Sequence, residues 1–152
     1  MTIKSGLFAF LIIAMAWGLT TQVGYAVNAT HSLPQTLFVV HQKALPKRNQ
    51  HISFTASEQS KFPGRNLTKI VKGVPGDEVT VQGQAIFING NYIATAKTLS
   101  QDGQPLAPIR QGTIPKAHYF VWTPHKDSYD SRYQSLGLIH EKDIVGVAYP
   151  VW

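Results

Sequence analysis

Leu67-Thr-Lys-Ile-Val-Lys-Gly-Val-Pro-Gly-Asp-Glu-Val-Thr-Val-Gln82 is the stretch that decides the fold. Leu67–Val71 and Glu78–Gln82 alternate apolar and polar side chains, the period of a half-buried strand. Gly-Val-Pro-Gly between them can continue neither a strand nor a helix, so it reads as a turn. Working outward, Ala85-Ile-Phe-Ile88 and Asn91-Tyr-Ile-Ala94 flank Asn89-Gly90, a pair that tolerates the positive φ angles of a type I′ hairpin turn. Leu37–His41, Ile52–Phe54, Lys116–Thr123 and Asp143–Tyr149 read as further strands. Gln101–Gly112 reads as an irregular loop, and Ser57–Lys61 as one turn of helix at most. The expectation is a mainly β domain over residues 28–152.

The N-terminus has a different texture. Gly6 to Leu19 is apolar without interruption; counted on to Val27, the run reaches about 22 residues, enough to cross a bilayer as one helix. Lys4 is the only charge before it, and no Lys or Arg follows until Lys43. That asymmetry puts the N-terminus in the cytoplasm and the domain outside. Residues 1–27 are therefore expected to be a transmembrane anchor. A cleavable signal peptide is the rival, because small residues cluster between Gly24 and Ala29. Either reading exports the domain.

The chain of 152 residues has no cysteine, which excludes disulfides, thiolate zinc sites and a cysteine nucleophile. Its net charge of +6 is unevenly placed. Between His41 and Lys72 seven basic residues face one acid, Glu58; from Gly73 onward six face seven. A basic stretch just after an apolar segment suits an anionic lipid surface. Nucleic acid is not an expected partner, since no binding motif or Arg-rich run is present. The six histidines have no metal-ligand spacing, so neither metal nor other cofactor is expected.

Three segments carry candidate chemistry. Ser32 lies in Asn28-Ala-Thr-His-Ser-Leu-Pro-Gln-Thr-Leu37, where there is no G-x-S-x-G elbow to supply a base in the usual way. A lysine can serve instead if burial keeps its amine neutral. In a strand of period two Lys69 shares a face with Val71, whereas Lys72 shares the other with Thr68 and Ile70, and spacing leaves the choice between the two lysines open. In Asp127-Ser-Tyr-Asp-Ser-Arg-Tyr133, Asp130 and Arg132 are spaced for an ion pair in a tight loop, and Ser128 could orient an amine. Each segment by itself is also readable as a linker, a surface strand or a polar turn.

Taken together and in this order, the segments resemble the type I signal peptidases, and more closely their conjugative-transfer relatives of the TraF type. Ser32, Pro34, Thr36 and Leu37 match the family's nucleophile motif. Lys69, Gly73, Val74, Pro75, Gly76 and Asp77 match its lysine box, and Ser128, Asp130, Ser131, Arg132 and Tyr133 its late box. The resemblance implies a signal-peptidase-like β domain behind one transmembrane helix. It makes Ser32 the nucleophile and Lys69 the base, with Lys72 at a variable position. The Ser32 N–H and the Thr30 hydroxyl form the implied oxyanion hole, and Ser128 orients the lysine. Asp130, Arg132, Gly73, Pro75, Gly76 and Asp77 support the site structurally. Proline two residues after the serine, Leu33 where housekeeping enzymes carry methionine, Pro124-His-Lys-Asp127 in place of Gly-Asp-Asn, and the short chain all favour the conjugation type. The implied substrate is an exported protein, a pilin precursor, processed at the outer face of the inner membrane and cyclised in some relatives. Membrane lipid and other proteins of the conjugation machinery are the implied partners. A general leader peptidase and a catalytically silent scaffold of the conjugation channel are the alternatives.

Overall fold

A computed structural model describes residues 23–27, 32–42 and 44–152. The expected strands form, most of them within one or two residues of their sequence bounds. They are β1 (Val23–Val27), β2 (Leu37–Gln42), β3 (His51–Thr55), β4 (Asn66–Gly73), β5 (Glu78–Gln82), β6 (Ala85–Ile88), β7 (Asn91–Thr95), β8 (Gly112–Thr113), β9 (His118–Trp122), β10 (Ile139–His140) and β11 (Ile144–Pro150). They make a seven-stranded sheet, β1-β2-β11-β3-β4-β9-β10, and a four-stranded sheet, β7-β6-β5-β8. The Asn89-Gly90 turn takes φ 50° and 75°, both positive as a type I′ turn requires. Ser57–Ser60 closes a turn rather than a helix, with Ser60 N–H donating to the Ser57 carbonyl at 3.0 Å. Residues 101–111 hold no strand, only an isolated bridge from Pro108 to Tyr133 and another from Pro105 back to Leu99.

β1 departs from the sequence reading. Val23–Val27, counted there as the end of a membrane span, pair antiparallel with β2 from Val23↔His41 to Val27↔Leu37. Hydropathy cannot separate the two outcomes, because Val-Gly-Tyr-Ala-Val is apolar enough for either. Residues 1–22 of the expected anchor lie outside the described residues. Among the described residues no helix is long and apolar enough to cross a membrane.

Among the described residues three apolar clusters hold the sheets. Ile52, Phe54, Val71 and Val121 pack with Tyr119, Leu136 and Ile139. Leu33, Phe38, Val40 and Ala148 pack beneath β2 and β11. Val79, Ile86, Ile88, Ile109, Ile114, Phe120 and Tyr133 join the small sheet to the large one. Each such side chain, fully buried, stabilises by roughly 1.5–3 kcal/mol. The join is tight at Gly73: a Cβ there would stand 2.4 Å from Ile114 Cδ1 and 2.9 Å from Phe120 Cβ. β4 can thus end against the second sheet only if that position has no side chain.

Candidate active site

β4 settles which lysine faces inward. Its outer positions Ile70 and Lys72 are half-buried, whereas Lys69, Val71 and Gly73 are buried. Lys69 keeps only 4% of its surface exposed. Lys72 turns out on the other face, donating to Asn49 Oδ1 at 2.9 Å with its ammonium 5.3 Å from the Trp122 ring centroid.

The Lys69 amine meets two hydroxyls. Nζ lies 3.2 Å from Ser32 Oγ and 2.8 Å from Ser128 Oγ, and both serines are buried. Ser32 comes from the segment leading into β2, Lys69 from the middle of β4, and Ser128 from the loop after β9. Residues distant in sequence thus converge on one amine. Burial lowers the Lys69 pKa from 10.5 to about 8; attraction from Asp130 opposes that fall and repulsion from Arg132 assists it. At pH 7 roughly one amine in ten is then neutral. A neutral amine at this distance can accept a hydroxyl proton, and the second hydroxyl restricts where the amine points.

The loop that supplies Ser128 is held by a buried ion pair. Asp130 Oδ1 accepts from Arg132 Nε at 2.8 Å and from Arg132 N–H at 3.1 Å. Its Oδ2 accepts from Arg132 Nη2 at 2.9 Å and Thr123 N–H at 3.2 Å. Arg132 Nη2 also donates to the carbonyls of Thr123 (2.9 Å) and His125 (3.4 Å). The His125 carbonyl in turn accepts from Ser128 N–H at 3.1 Å. The expected Asp130–Arg132 pair is therefore present, and it ties the end of β9 to the turn carrying Ser128. The carboxylate spends its hydrogen bonds on the loop, so its effect on Lys69 is through space. Ser131, given no role from sequence, accepts from Val121 N–H at 2.9 Å and donates its own N–H to the Val121 carbonyl at 3.0 Å. It closes the edge of β9.

The lysine-box turn sits at the far end of β4. Asp77 is the hub: Oδ2 accepts from Val74 N–H at 2.7 Å, and Oδ1 accepts from Arg48 Nη2 and Asn89 Nδ2, both at 2.8 Å. Burial pushes this carboxyl up, but Arg48, Val74 and Asn89 together outweigh it and hold the pKa below its usual value. Gly76 takes φ 90°, Pro75 is exposed on the turn, and Arg48 Nη1 caps the Lys72 carbonyl at 2.7 Å. Gly73, Pro75, Gly76 and Asp77 therefore fix where β4 ends. Arg48 and Asn89 were missed from sequence, where nothing local marks partners 29 and 12 residues from Asp77.

A pocket of about 260 Å³ opens beside Ser32 and Lys69, walled by Phe62, Leu67, Leu106 and Tyr129. Lys61 pairs with Asp102 at 2.7 Å, and Lys97 pairs with Asp127; all four are rim residues or their neighbours. These aromatic and charged groups carry no sequence signal of their own. Thr30, the second expected oxyanion donor, and His31 lie outside the described residues. Among the described residues no cluster of His, Asp or Glu could hold a metal ion.

A family model described as signal peptidase, peptidase S26, matches residues 1–152. The conjugal transfer protein TraF of Agrobacterium fabrum is 28% identical, over 85% of this chain and 82% of that protein. The probable conjugal transfer protein TraF of Sinorhizobium fredii is 34% identical, over 84% of this chain and 77% of that protein. The signal peptidase I of Pseudomonas aeruginosa is 32% identical, over 59% of this chain but only 44% of that enzyme.

Proposed function

The chain belongs to the signal peptidase, peptidase S26, family, and from that premise we propose that it is a membrane-anchored serine endopeptidase of a conjugative transfer system. Ser32 is its nucleophile and Lys69 its general base. The observation that carries this reading is the buried amine of Lys69 within 3.2 Å of Ser32 Oγ.

In the proposed reaction Ser32 Oγ attacks the scissile carbonyl while neutral Lys69 takes its proton. The protonated lysine then delivers that proton to the leaving amine. The carbonyl oxygen gains negative charge, which the Ser32 backbone N–H and the Thr30 hydroxyl stabilise; loss of one such donor raises the barrier by about 2.7–4 kcal/mol. Ser128 holds the lysine amine against Ser32. Water, or an amine of the substrate itself, then releases the acyl group and regenerates the serine.

The substrate class is an exported polypeptide, and the similarity to two TraF proteins supports a pilin precursor. Membrane residence on the periplasmic face is supported by the apolar run from Gly6 to Leu19 in the sequence and by an exposed apolar surface across β1, β2 and β11. Tyr25, Val39 and Tyr149 lie in one row across β1, β2 and β11, and Tyr25, Val27, Tyr149, Val151 and Trp152 are all exposed. Aromatic side chains of this kind suit the bilayer interface. The test is conjugative transfer and precursor processing in cells carrying Ser32→Ala or Lys69→Ala, with Lys72→Ala as control. Both activities are expected to fail in the first two and survive in the third. Processing that persists in Ser32→Ala would leave the chain a silent scaffold. Cleavage of unrelated exported precursors would make it a general leader peptidase.

A further inference from the structure

A second groove, of about 410 Å³, shares no lining residue with the pocket at Ser32. It lies where the outer strands of the two sheets come near each other. One wall is Ile109–Thr113, running into β8 at the edge of the small sheet; the other is Gln134, Gly137 and Leu138, leading to β10 at the edge of the large one. Val79, Ile109 and Leu138 supply apolar surface.

Two features of this groove match a polypeptide ligand. The first is a strand edge that, among the described residues, no other strand covers. β8 pairs with β5 through Gly112↔Val79 and Thr113↔Glu78, and Ile114 N–H donates to the Asp77 carbonyl at 2.8 Å. Alternate residues of an antiparallel strand address opposite neighbours. Gly112 and Ile114 therefore turn their backbone groups toward β5, while Gln111 and Thr113 turn theirs outward. The second feature is charge. Arg110 and His118 line the groove and no carboxylate does. Among the described residues Arg110 has no ion-pair partner. With its amide oxygen turned to the guanidinium, Gln134 accepts from Arg110 Nη2 at 3.1 Å and Nε at 3.2 Å. That contact orients the cation and leaves Nη1 for a ligand.

We propose that this groove docks an extended, acidic segment of a partner polypeptide. The segment adds as a strand to the outer edge of β8, sets an apolar side chain against Val79, Ile109 and Leu138, and presents an Asp or Glu carboxylate to Arg110. This inference does not rest on the peptidase reading, because the groove shares no lining residue with the pocket at Ser32.

The test uses the purified full chain and a fluorescein-labelled, end-blocked probe, Thr-Val-Thr-Glu-Thr, in which Val and Glu share one face of the strand, with its Gln counterpart. Saturable binding of the Glu probe is expected, weakened about ten-fold or more by replacing Glu with Gln or by Arg110→Gln. Thr113→Pro deletes an outward N–H without removing a ladder bond, so it is expected to weaken binding of both probes. Cleavage of the precursor at Ser32 is expected to be unchanged in Arg110→Gln, so failure here and failure of the peptidase assignment are distinguishable. The proposal is overturned if the Glu probe does not bind saturably, or if Glu and Gln probes bind equally to the unaltered chain and to Arg110→Gln.

Discussion

Burial is what fits Lys69 for the role of base in the proposed dyad. Its amine has two hydroxyls within hydrogen-bond distance, and desolvation outweighs the pull of Asp130 to bring the pKa to about 8. The same desolvation works against stability. Below about pH 8 the folded chain must hold a charge that the unfolded chain hydrates freely. The penalty is full below the folded pKa and is relieved as pH rises from about 8 to the unfolded value near 10.5. Lys69→Met is therefore expected to abolish cleavage yet raise stability at pH 7, by up to about 3 kcal/mol. The gain should shrink toward zero above pH 10, which urea denaturation at the two pH values would measure. Loss of stability at pH 7 would mean that the amine is better solvated than its surroundings indicate. The sequence offered two lysines for the proposed base, and strand period did not choose between them, because alternation alone does not fix which face of β4 turns inward. The choice came from the motif, and the exposed hydrogen bond of Lys72 to Asn49 agrees with it.

At the scale of elements, the loop from Thr123 to Tyr133 is organised by one buried pair. Removing the carboxylate by Asp130→Ala leaves the Arg132 guanidinium buried without its partner, a change that costs about 3–5 kcal/mol. The urea midpoint should fall accordingly, and the cleavage rate should fall even where the protein stays folded, because Ser128 loses its anchor. Full activity with only reduced stability would separate the pair from the site. Strands with clear alternation, such as Glu78–Gln82, were legible to the residue, and so was the hairpin marked by Asn89-Gly90. Two kinds of strand were not. β8 and β10 are two residues long and exist only through their neighbours β5 and β9. β1 is hidden in an apolar run, where composition fits a membrane helix as well as a strand.

At the scale of the whole molecule, the two sheets meet through Gly73. Any side chain there must displace Ile114 and Phe120, both buried in the cluster that joins the sheets. Gly73→Ala is expected to destabilise by about 1–3 kcal/mol through overpacking. Gly73→Val should exceed that and lower the melting temperature further. An unaltered melting temperature in both would show that the sheets can separate without loss. The Arg48–Asp77–Asn89 hub secures the same junction from outside. Because the pKa of Asp77 is held below its usual 3.8, its contribution to stability is present above that value and is lost as pH falls through the folded pKa. None of these long-range contacts has a local sequence signature, which is why the motif residues were legible and their partners were not.

The proposed pairing of Ser32 with a neutral Lys69 is tested most directly by single-turnover cleavage of the proposed substrate, a pilin precursor, as a function of pH, in the unaltered chain and in Lys69→Arg. An arginine keeps its proton at every pH in the range and cannot act as the base. Cleavage is expected to rise about ten-fold per pH unit below an apparent pKa near 8, to level off above it, and to vanish in Lys69→Arg. A rate that is flat from pH 6 to pH 9, or one that survives in Lys69→Arg, would contradict the assignment of Lys69 as the base.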